Sequence, residues 1–451
     1  MTIAQRLAWL EGLSTLGILV LAVALVQPLP TVEAVWALAA RVGIVAAVCL
    51  ACLYFCDLYN FETPHDFPHL FARVCRALGW SALLLAGFYL VFPAAVIPGN
   101  LASHALLALL VAVPAIRASV YALAKRAPFS ERVLIMGAGS LAAELAEQIN
   151  TRADLALRVV GFLGHAEPPV ALGGARAAPH LGSYADVADA VRRYRPDRII
   201  VAMPDRRGQL PVSELLACRF RGVQIEEGTQ AFERFMRRLA VESLNPSTLV
   251  FGDGFRVTAG RLAVKRVLSV AIALVALAAG APLMALIALL IKLDSAGPVF
   301  FVQERVGLHG RMFRLIKFRT MRQAEEHDTI LRDNASRVTR VGRVLRRYRL
   351  DEVPQFINIL RGDMSLVGPR PEMAANVATF SALIPFYNLR HEVRPGLTGW
   401  AQIKAGYSMS IEEVTHKLCY DLYYIKHMSL RFDVRILFDT VKFVLSGRRP
   451  G

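Results

Sequence analysis

The 451-residue chain is short of acidic groups: 36 Asp and Glu face 52 Lys and Arg, leaving a formal charge of +16. It has no collagen-like repeat and no low-complexity tract, and its Leu, Val, Ala and Phe content excludes a disordered chain. Cysteine is scarce and unpaired in pattern. Cys49, Cys52 and Cys56 recur at helical spacing in an apolar run, Cys75 follows, and Cys218 and Cys419 stand alone. No partner motif for a zinc site accompanies them, so they read as small apolar fillers in a reduced compartment. A cleavable signal peptide is not expected either, because Arg6 alone makes a weak basic start and several apolar segments follow. What is plentiful is apolar: 55% of residues are hydrophobic and the mean hydropathy is +0.42. Soluble domains average about 45–50%. The length allows roughly three domains, and charge and hydropathy together point to a membrane protein that handles anions.

Four apolar stretches, at about 7–27, 34–56, 70–92 and 103–124, approach the ~20 residues needed to cross a bilayer core. Arg6, Arg73, Arg76, Arg117, Lys125 and Arg126 lie on alternate connections, while 28–33 and 93–102 carry no Lys or Arg. This positive-inside pattern puts the N-terminus and everything after residue 125 in the cytoplasm. Glu11 and Arg41 lie toward span ends, where snorkelling or pairing accounts for them. The first domain is thus an α-helical four-span bundle over residues 1–126.

Residues 127–250 read as an α/β Rossmann-like domain. The run ERVLIM leads into Gly137-Ala138-Gly139-Ser140-Leu141-Ala142 and a helix, with further strands at 157–163, 198–202 and 222–226. Two cofactor signals are missing. Gly164 and His165 stand where an acidic residue would bind ribose hydroxyls, and no Tyr-x-x-x-Lys pair follows the glycines. Tyr121 and Lys125 have that spacing but precede them. A structural or regulatory domain is favoured over a nucleotide site.

The third domain, 251–451, reads as α+β. It opens with a fifth apolar segment, 263–291, bounded by Lys265-Arg266 and Lys292 and interrupted by Pro282. Basic residues at both ends favour a kinked re-entrant helix that dips into the inner leaflet and returns. An ordinary fifth span would carry the remaining residues outside, away from nucleotides. Two strand-like runs, 299–305 and 311–318, then flank Gly307-Leu308-His309-Gly310 as in a hairpin. Lys317 and Arg319 share a strand face and can clamp a phosphate. From Arg305 to Arg349 there are thirteen Lys or Arg against four Asp or Glu, a field that concentrates diphosphates and anionic lipid.

Asp351 and Glu352 precede an apolar helical run with Pro354 in its expected first turn. Helix capping explains such a pair. So does chemistry: beside Arg346, Arg347 and Arg349 the two carboxylates could supply a nucleophile and a magnesium ligand. The stiff segment Val367-Gly368-Pro369-Arg370-Pro371-Glu372 presets one guanidinium, and Arg394-Pro395-Gly396-Leu397-Thr398-Gly399-Trp400-Ala401-Gln402 forms another rigid loop.

The stretch from Lys265 to Lys442 resembles the bacterial sugar transferases that are monotopic phosphoglycosyl transferases. The pieces that carry the likeness are IKLDSAGPVFFVQERVG, FRLIKFRTM, LDEVPQFINILRGDMSLVGPRPE and RPGLTGWAQI. With the front half included, the chain is similar to the long form, the polyprenyl-phosphate hexose-1-phosphate transferases of exopolysaccharide or O-antigen synthesis. The resemblance implies an enzyme of the bacterial inner membrane, multi-pass, with its soluble domains in the cytoplasm. It implies that Asp351 attacks the β-phosphorus of a UDP-hexose, releases UMP and holds the phosphosugar for undecaprenyl phosphate. Glu352 would share Mg²⁺ with Asp351 and assist deprotonation. Lys317, Arg319, Arg349, Arg370 and Glu372 would contact substrate, and Pro282 would mark the re-entrant break. Arg349 stands where many members have a small polar residue. A homodimer through the front half follows from the likeness alone; nucleic acid is not a partner. Two rivals remain: a membrane-bound nucleotide-sugar epimerase or dehydratase, which lacks its Tyr-Lys pair here, and a non-catalytic polysaccharide assembly scaffold.

Overall fold

The computed structural model describes residues 32–56, 67–95, 110–116, 130–152, 157–165, 178–203, 207–241, 253–255, 258–322, 337–405 and 410–446, with isolated positions between them. Two compact units emerge, residues 1–231 and 232–451. The first of the four expected spans and most of the fourth lie outside the described residues.

In the first unit, helices α1 (Val32–Phe55) and α2 (Phe67–Val91) pack through Val45, Cys49, Leu53, Val74 and Ala77, all buried. Cys49 and Cys52 are free thiols buried as apolar filler, Cys56 is half-buried, and Cys75, against the expectation, is exposed. A four-stranded parallel sheet follows, built from β1 (Glu131–Met136), β2 (Leu157–Leu163), β3 (Arg198–Val201) and β4 (Gln224–Glu227) in the order β2-β1-β3-β4. Helices α3 (Ser140–Thr151), α4 (Val187–Tyr194), α5 (Val212–Phe220) and α6 (Gly228–Met236) alternate with the strands. Parallel strands buried on both faces explain the unbroken apolar runs VLIM and IIV.

The glycine motif has a packing role in this sheet. Gly137 has φ +142°, and a Cβ there would collide with the Ala202 carbonyl. Gly228, at the start of α6, presses on Ala202 from its other side. The first glycine therefore lets the end of β1 close on the end of β3, with no ligand needed to account for it. His165, in the place of the expected acid, packs edge-on against Tyr184.

The second unit begins with α7 (Ala259–Asp294), a 36-residue helix that contains Pro282. Among the described residues, Phe71–Val91 and Ala259–Asp294 are long and apolar enough to cross a membrane. At 1.5 Å per residue α7 spans about 54 Å, beyond the ~30 Å hydrocarbon core. Both of its ends are tied to this same unit. Near the start, Arg266 donates to the carbonyls of Ile359 and Leu360, and Ser269 Oγ lies 3.3 Å from Ser365 Oγ. At the far end, Ile287 and Ile291 pack on Phe318 and Leu345, and the Asp294 carboxylate accepts from Val341 N at 3.0 Å.

The hairpin expected from the sequence is present: β5 (Phe300–Val306) pairs antiparallel with β6 (Met312–Phe318). Its turn needs left-handed backbone at His309 (φ +53°) and Gly310 (φ +74°). Then come α8 (Arg340–Arg347), α9 (Gln355–Arg361), β7 (Ser365–Val367), α10 (Ala374–Leu383), β8 (Gly396–Thr398), α11 (Trp400–Lys404), α12 (Ile411–Lys426) and α13 (Leu430–Ser446). The core lies between α9, β7, β8 and the apolar face of α12, with Trp400, Tyr387 and Tyr424 its largest buried side chains.

Candidate active site

Three segments converge on the carboxylate pair. The first is β6, which carries Lys317. Buried Asn358 on α9 stitches this strand in place: its Oδ1 accepts from Ile316 N at 3.0 Å and its Nδ2 donates to Arg314 O at 2.7 Å. The second is a single 3-10 turn, Leu350–Glu352, entered through Arg349 in left-handed backbone (φ +56°). The third is the loop after β7.

That loop is locked backbone to backbone. β7 and β8 are parallel, with Ser365 N to Pro395 O at 2.8 Å, Gly368 N to Thr398 O at 2.9 Å and Gly396 N to Pro369 O at 2.9 Å. A Cβ on Gly368, Gly396 or Gly399 would strike the backbone of the facing segment. The two glycine-proline segments are thus one platform, from which Arg370 projects.

Arg370 Nη2 donates to Glu352 Oε1 at 3.0 Å, and Arg349 Nη1 reaches the same oxygen at 3.3 Å. Burial alone would raise the Glu352 carboxyl, but Arg370, Arg349 and Lys317 outweigh it and hold it below the usual range. Asp351 differs. Its Oδ1 is buried and accepts no hydrogen bond. Burial and then the neighbouring Glu352 charge push its pKa up to about 6, against the pull of Lys317 and Arg349. Lys317 is lowered by burial and by Arg305 and Arg370, with the two carboxylates opposing. Capping does not occupy the pair, since Pro354 is the N-cap of α9 and no side chain caps that helix. Asp351 therefore presents a carboxylate oxygen without a hydrogen bond among fixed cations, ionised near neutral pH and able to attack an electrophile.

Two cavities meet at Lys317. One, of about 730 Å³, is lined by Asp351, by Phe300 and Phe301, and by Arg322, Arg337 and Arg346. The other, of about 210 Å³, runs from Arg349 and Arg370 to Gln402 and Lys417.

Comparison with known proteins places this unit. Residues 260–447 match the bacterial sugar transferase family, and residues 55–212 match a CoA-binding domain. An exopolysaccharide production protein, PSS, of Rhizobium leguminosarum bv. phaseoli is 40% identical over 190 residues, 94% of its length. The chain belongs to the bacterial sugar transferase family. It is also 49% identical over 186 residues to an Aeromonas hydrophila UDP-N-acetylgalactosamine-undecaprenyl-phosphate N-acetylgalactosaminephosphotransferase, covering 41% of this chain and 44% of that one. An undecaprenyl-phosphate glucose phosphotransferase of Komagataeibacter xylinus is 35% identical over 329 residues, covering 71% and 60%. Several curated relatives are thus matched over about half their length.

Of the residues singled out in the sequence, Lys317, Arg349, Asp351, Glu352 and Arg370 lie together. Glu372 lines the smaller cleft, 3.7 Å from Arg305, while its carbonyl accepts from Val306 N. Arg319 lines the larger cavity with Lys317 and Asp351, but its terminal nitrogens are engaged at the end of α7. Its guanidinium donates to Ala296 O at 2.6 Å and Ser295 O at 2.7 Å, gripping the end of α7. Its strand alternation with Lys317 misleads because β6 ends at Phe318. Pro282 lies within α7, away from the three converging segments in sequence and packing.

Sequence reading passed over one buried pair. Arg390 Nη2 donates to Asp421 Oδ2 at 2.8 Å and to the Arg370 carbonyl at 3.0 Å, while Nη1 donates to Tyr387 Oη at 2.8 Å. The pair supports the Arg370 loop from behind. Its one sequence signal is an acid amid the apolar face of α12, in LCYDLYYI.

Proposed function

We propose that this membrane-associated chain transfers a hexose-1-phosphate from a UDP-sugar to undecaprenyl phosphate, releasing UMP, as the first membrane step of exopolysaccharide or O-antigen synthesis. The observation that carries the reading is the buried Asp351 Oδ1, left without a hydrogen bond among Lys317, Arg349 and Arg370. Two of the relatives named above carry undecaprenyl phosphate in their printed names, and one of these a UDP-sugar as well.

In the first step an Asp351 carboxylate oxygen forms a bond to the β-phosphorus, and the bond to the bridging oxygen breaks, so UMP leaves with that electron pair. In the second, an undecaprenyl phosphate oxygen attacks the same phosphorus, and the bond to Asp351 breaks, restoring the carboxylate. Each step is one displacement at phosphorus with charge spread over fixed guanidinium and ammonium groups. Glu352, kept ionised by its two arginines, would take a proton from the acceptor phosphate.

The donor set suits Mg²⁺, which commonly takes one or two carboxylates and completes its shell with phosphate oxygens and water. Asp351, with its unpartnered buried oxygen, and Glu352 would hold it. Bound there, the ion would neutralise charge on the phosphates.

The larger cavity, with Phe300 and Phe301 beside arginines near the end of α7, suits the lipid-linked phosphate, and the smaller cleft the nucleotide. A re-entrant α7 is supported by its two ends being anchored on one unit, since a crossing helix would leave them on opposite sides. Its exposed Val267, Leu274, Val275 and Leu286 would then face lipid. The four-span, cytoplasm-facing arrangement rests on the charge pattern of the loops and on the packed apolar pair α1 and α2.

The test is product analysis with labelled UDP-sugars and undecaprenyl phosphate. UMP with a lipid diphosphate sugar is expected; UDP would mean simple glycosyl transfer and overturn the reading. Asp351→Asn should abolish turnover, and retained turnover would sink the covalent mechanism.

A further inference from the structure

The smaller cleft carries more than cations. At the end bounded by α10, α11 and α12, Phe380, Val414 and Leu418 supply apolar walls. At this end stands Gln402. Its Nε2 donates to Leu397 O at 3.3 Å, which fixes the amide so that Oε1 is the acceptor. That Oε1 is buried and meets no donor. A buried acceptor left unpaired costs about 1–3 kcal/mol, so a donor from outside the protein is the economical partner for it. Lys417, in the same cleft, lies among Arg370, Arg390 and Glu372, and burial lowers it.

Resting on the transfer reading above, we infer that this end of the cleft holds the nucleobase of the donor, and that Gln402 Oε1 accepts the imide N3–H of a uracil ring. A uracil presents one N–H between two carbonyl oxygens; a cytosine presents a bare acceptor nitrogen at that position. An acceptor on the protein therefore favours the imide and repels cytosine, and unmet polar groups are what make such discrimination steep. The apolar walls take the faces of the ring, while Arg370 lies toward the phosphates. Gln402 thereby becomes a specificity-determining residue that the sequence placed only in a rigid loop. The same glycine lock that sets Arg370 also fixes this residue, because a Cβ at Gly399 would meet both the Gly368 carbonyl and Gln402 Oε1.

The experiment titrates the full-length protein in nanodiscs with UMP, CMP and N3-methyl-UMP. One hydrogen bond of about 1.4 kcal/mol is tenfold in affinity. Wild-type protein should bind UMP at least about tenfold more tightly than either analogue, and Gln402→Leu should remove that preference with an unchanged melting temperature. Equal binding of the three nucleotides by wild type, or an undiminished preference in folded Q402L, overturns the subsite. Should Q402L not fold, the N3-methyl comparison on wild type reads the same contact from the ligand side, and unchanged affinity overturns it. Binding needs no turnover, so the two readings fail separately. Base-selective binding without UMP release from a UDP-sugar would sink the transfer reading and leave the subsite standing. Transfer without base selectivity would do the reverse.

Discussion

Asp421→Ala should be among the most destabilising single changes in the second unit that touch no proposed reacting atom. Arg390 and Asp421 are 8% and 3% exposed, with Nη2 and Oδ2 2.8 Å apart. At an effective dielectric of ~20, unit charges at that separation attract by about 6 kcal/mol. That attraction is not net stability. Burial pushes Asp421 up to about 6 despite Arg390, with Glu372 adding repulsion, so the charged acid is less comfortable here than in water. Arg390 is the opposite case: burial works against its charge, but Asp421 and Tyr387 more than compensate and raise it further. Removing Asp421 strands this cation in the core, at a cost of about 3–5 kcal/mol. For a domain of this size each kcal/mol moves the melting temperature by about 2–4 °C, so D421A should melt about 6–20 °C below wild type. Near-UV circular dichroism on the full chain in nanodiscs would follow it. The double variant Arg390→Leu with Asp421→Leu removes both charges and should regain most of the loss. It should still turn over about ten- to a hundredfold more slowly, because the Arg370 carbonyl has lost its donor and Arg370 its fixed place. A D421A melt within 2 °C of wild type, or a double variant no more stable than the single, would refute this account of the pair.

Three further outcomes follow from the same geometry. Gly396→Ala drives a methyl into the Gly368 backbone, so it should cost at least about 3 kcal/mol and leave little folded protein by size-exclusion chromatography. Arg319→Ala should lower the melting temperature, since charge-assisted hydrogen bonds contribute about 1.5–3 kcal/mol each, while the donor KM of what remains folded stays within about twofold. His391 is lowered to about 4 by burial and then by Arg390. The folded state thus refuses a proton that the unfolded chain accepts below about 6.5, so its contribution is lost as pH falls from there toward 4. At pH 5 this amounts to about 2 kcal/mol. Asp421 titrates in the opposite sense, so the readout is the difference between wild type and His391→Gln: near zero at pH 7.5 and about 2 kcal/mol in favour of the variant at pH 5.

The elements that could be read from the chain were those with local causes. The hairpin at 300–306 and 312–318 announces itself by β-rich runs around a glycine turn, and the parallel strands by apolar runs ending in glycine. Asp351 and Glu352 were legible as chemistry beside three arginines, but their freedom from capping was not. That depends on Arg349 turning left-handed and setting the carboxylates in their own 3-10 turn ahead of α9. The hold of Arg319 on the end of α7 was not legible for a similar reason, since strand alternation cannot report where the strand stops. Arg390 and Asp421 pair across 31 positions, and nothing local marks them as partners. Gln402 sat in a motif already noticed, but only the burial of its oxygen gives it a ligand.

The position of the proposed nucleophile relative to the membrane helix is set by short covalent and hydrogen-bonded steps rather than by a flexible tether. Lys317 lies between two anchors, one on β6 and one just past its end. Ile316 is held by Asn358 of α9, and Arg319, two residues on, grips the last carbonyls beyond α7. From α9 the chain runs back only three residues from Gln355 to Glu352, and Glu352 is tied to Arg370 on the glycine-locked platform. At its other end α7 is held to α9 by Arg266 and to β7 by Ser269. A movement of α7 therefore displaces Lys317 and the carboxylates together, and it leaves their mutual geometry intact. Such coupling suits the proposed reaction, in which a soluble donor and a lipid-held acceptor would meet one phosphorus at one depth. It also explains why Arg319 spends both terminal nitrogens on Ser295 and Ala296 in a region crowded with cations: held at the end of α7, it fixes that depth, while Lys317, Arg349 and Arg370 stay with the proposed chemistry.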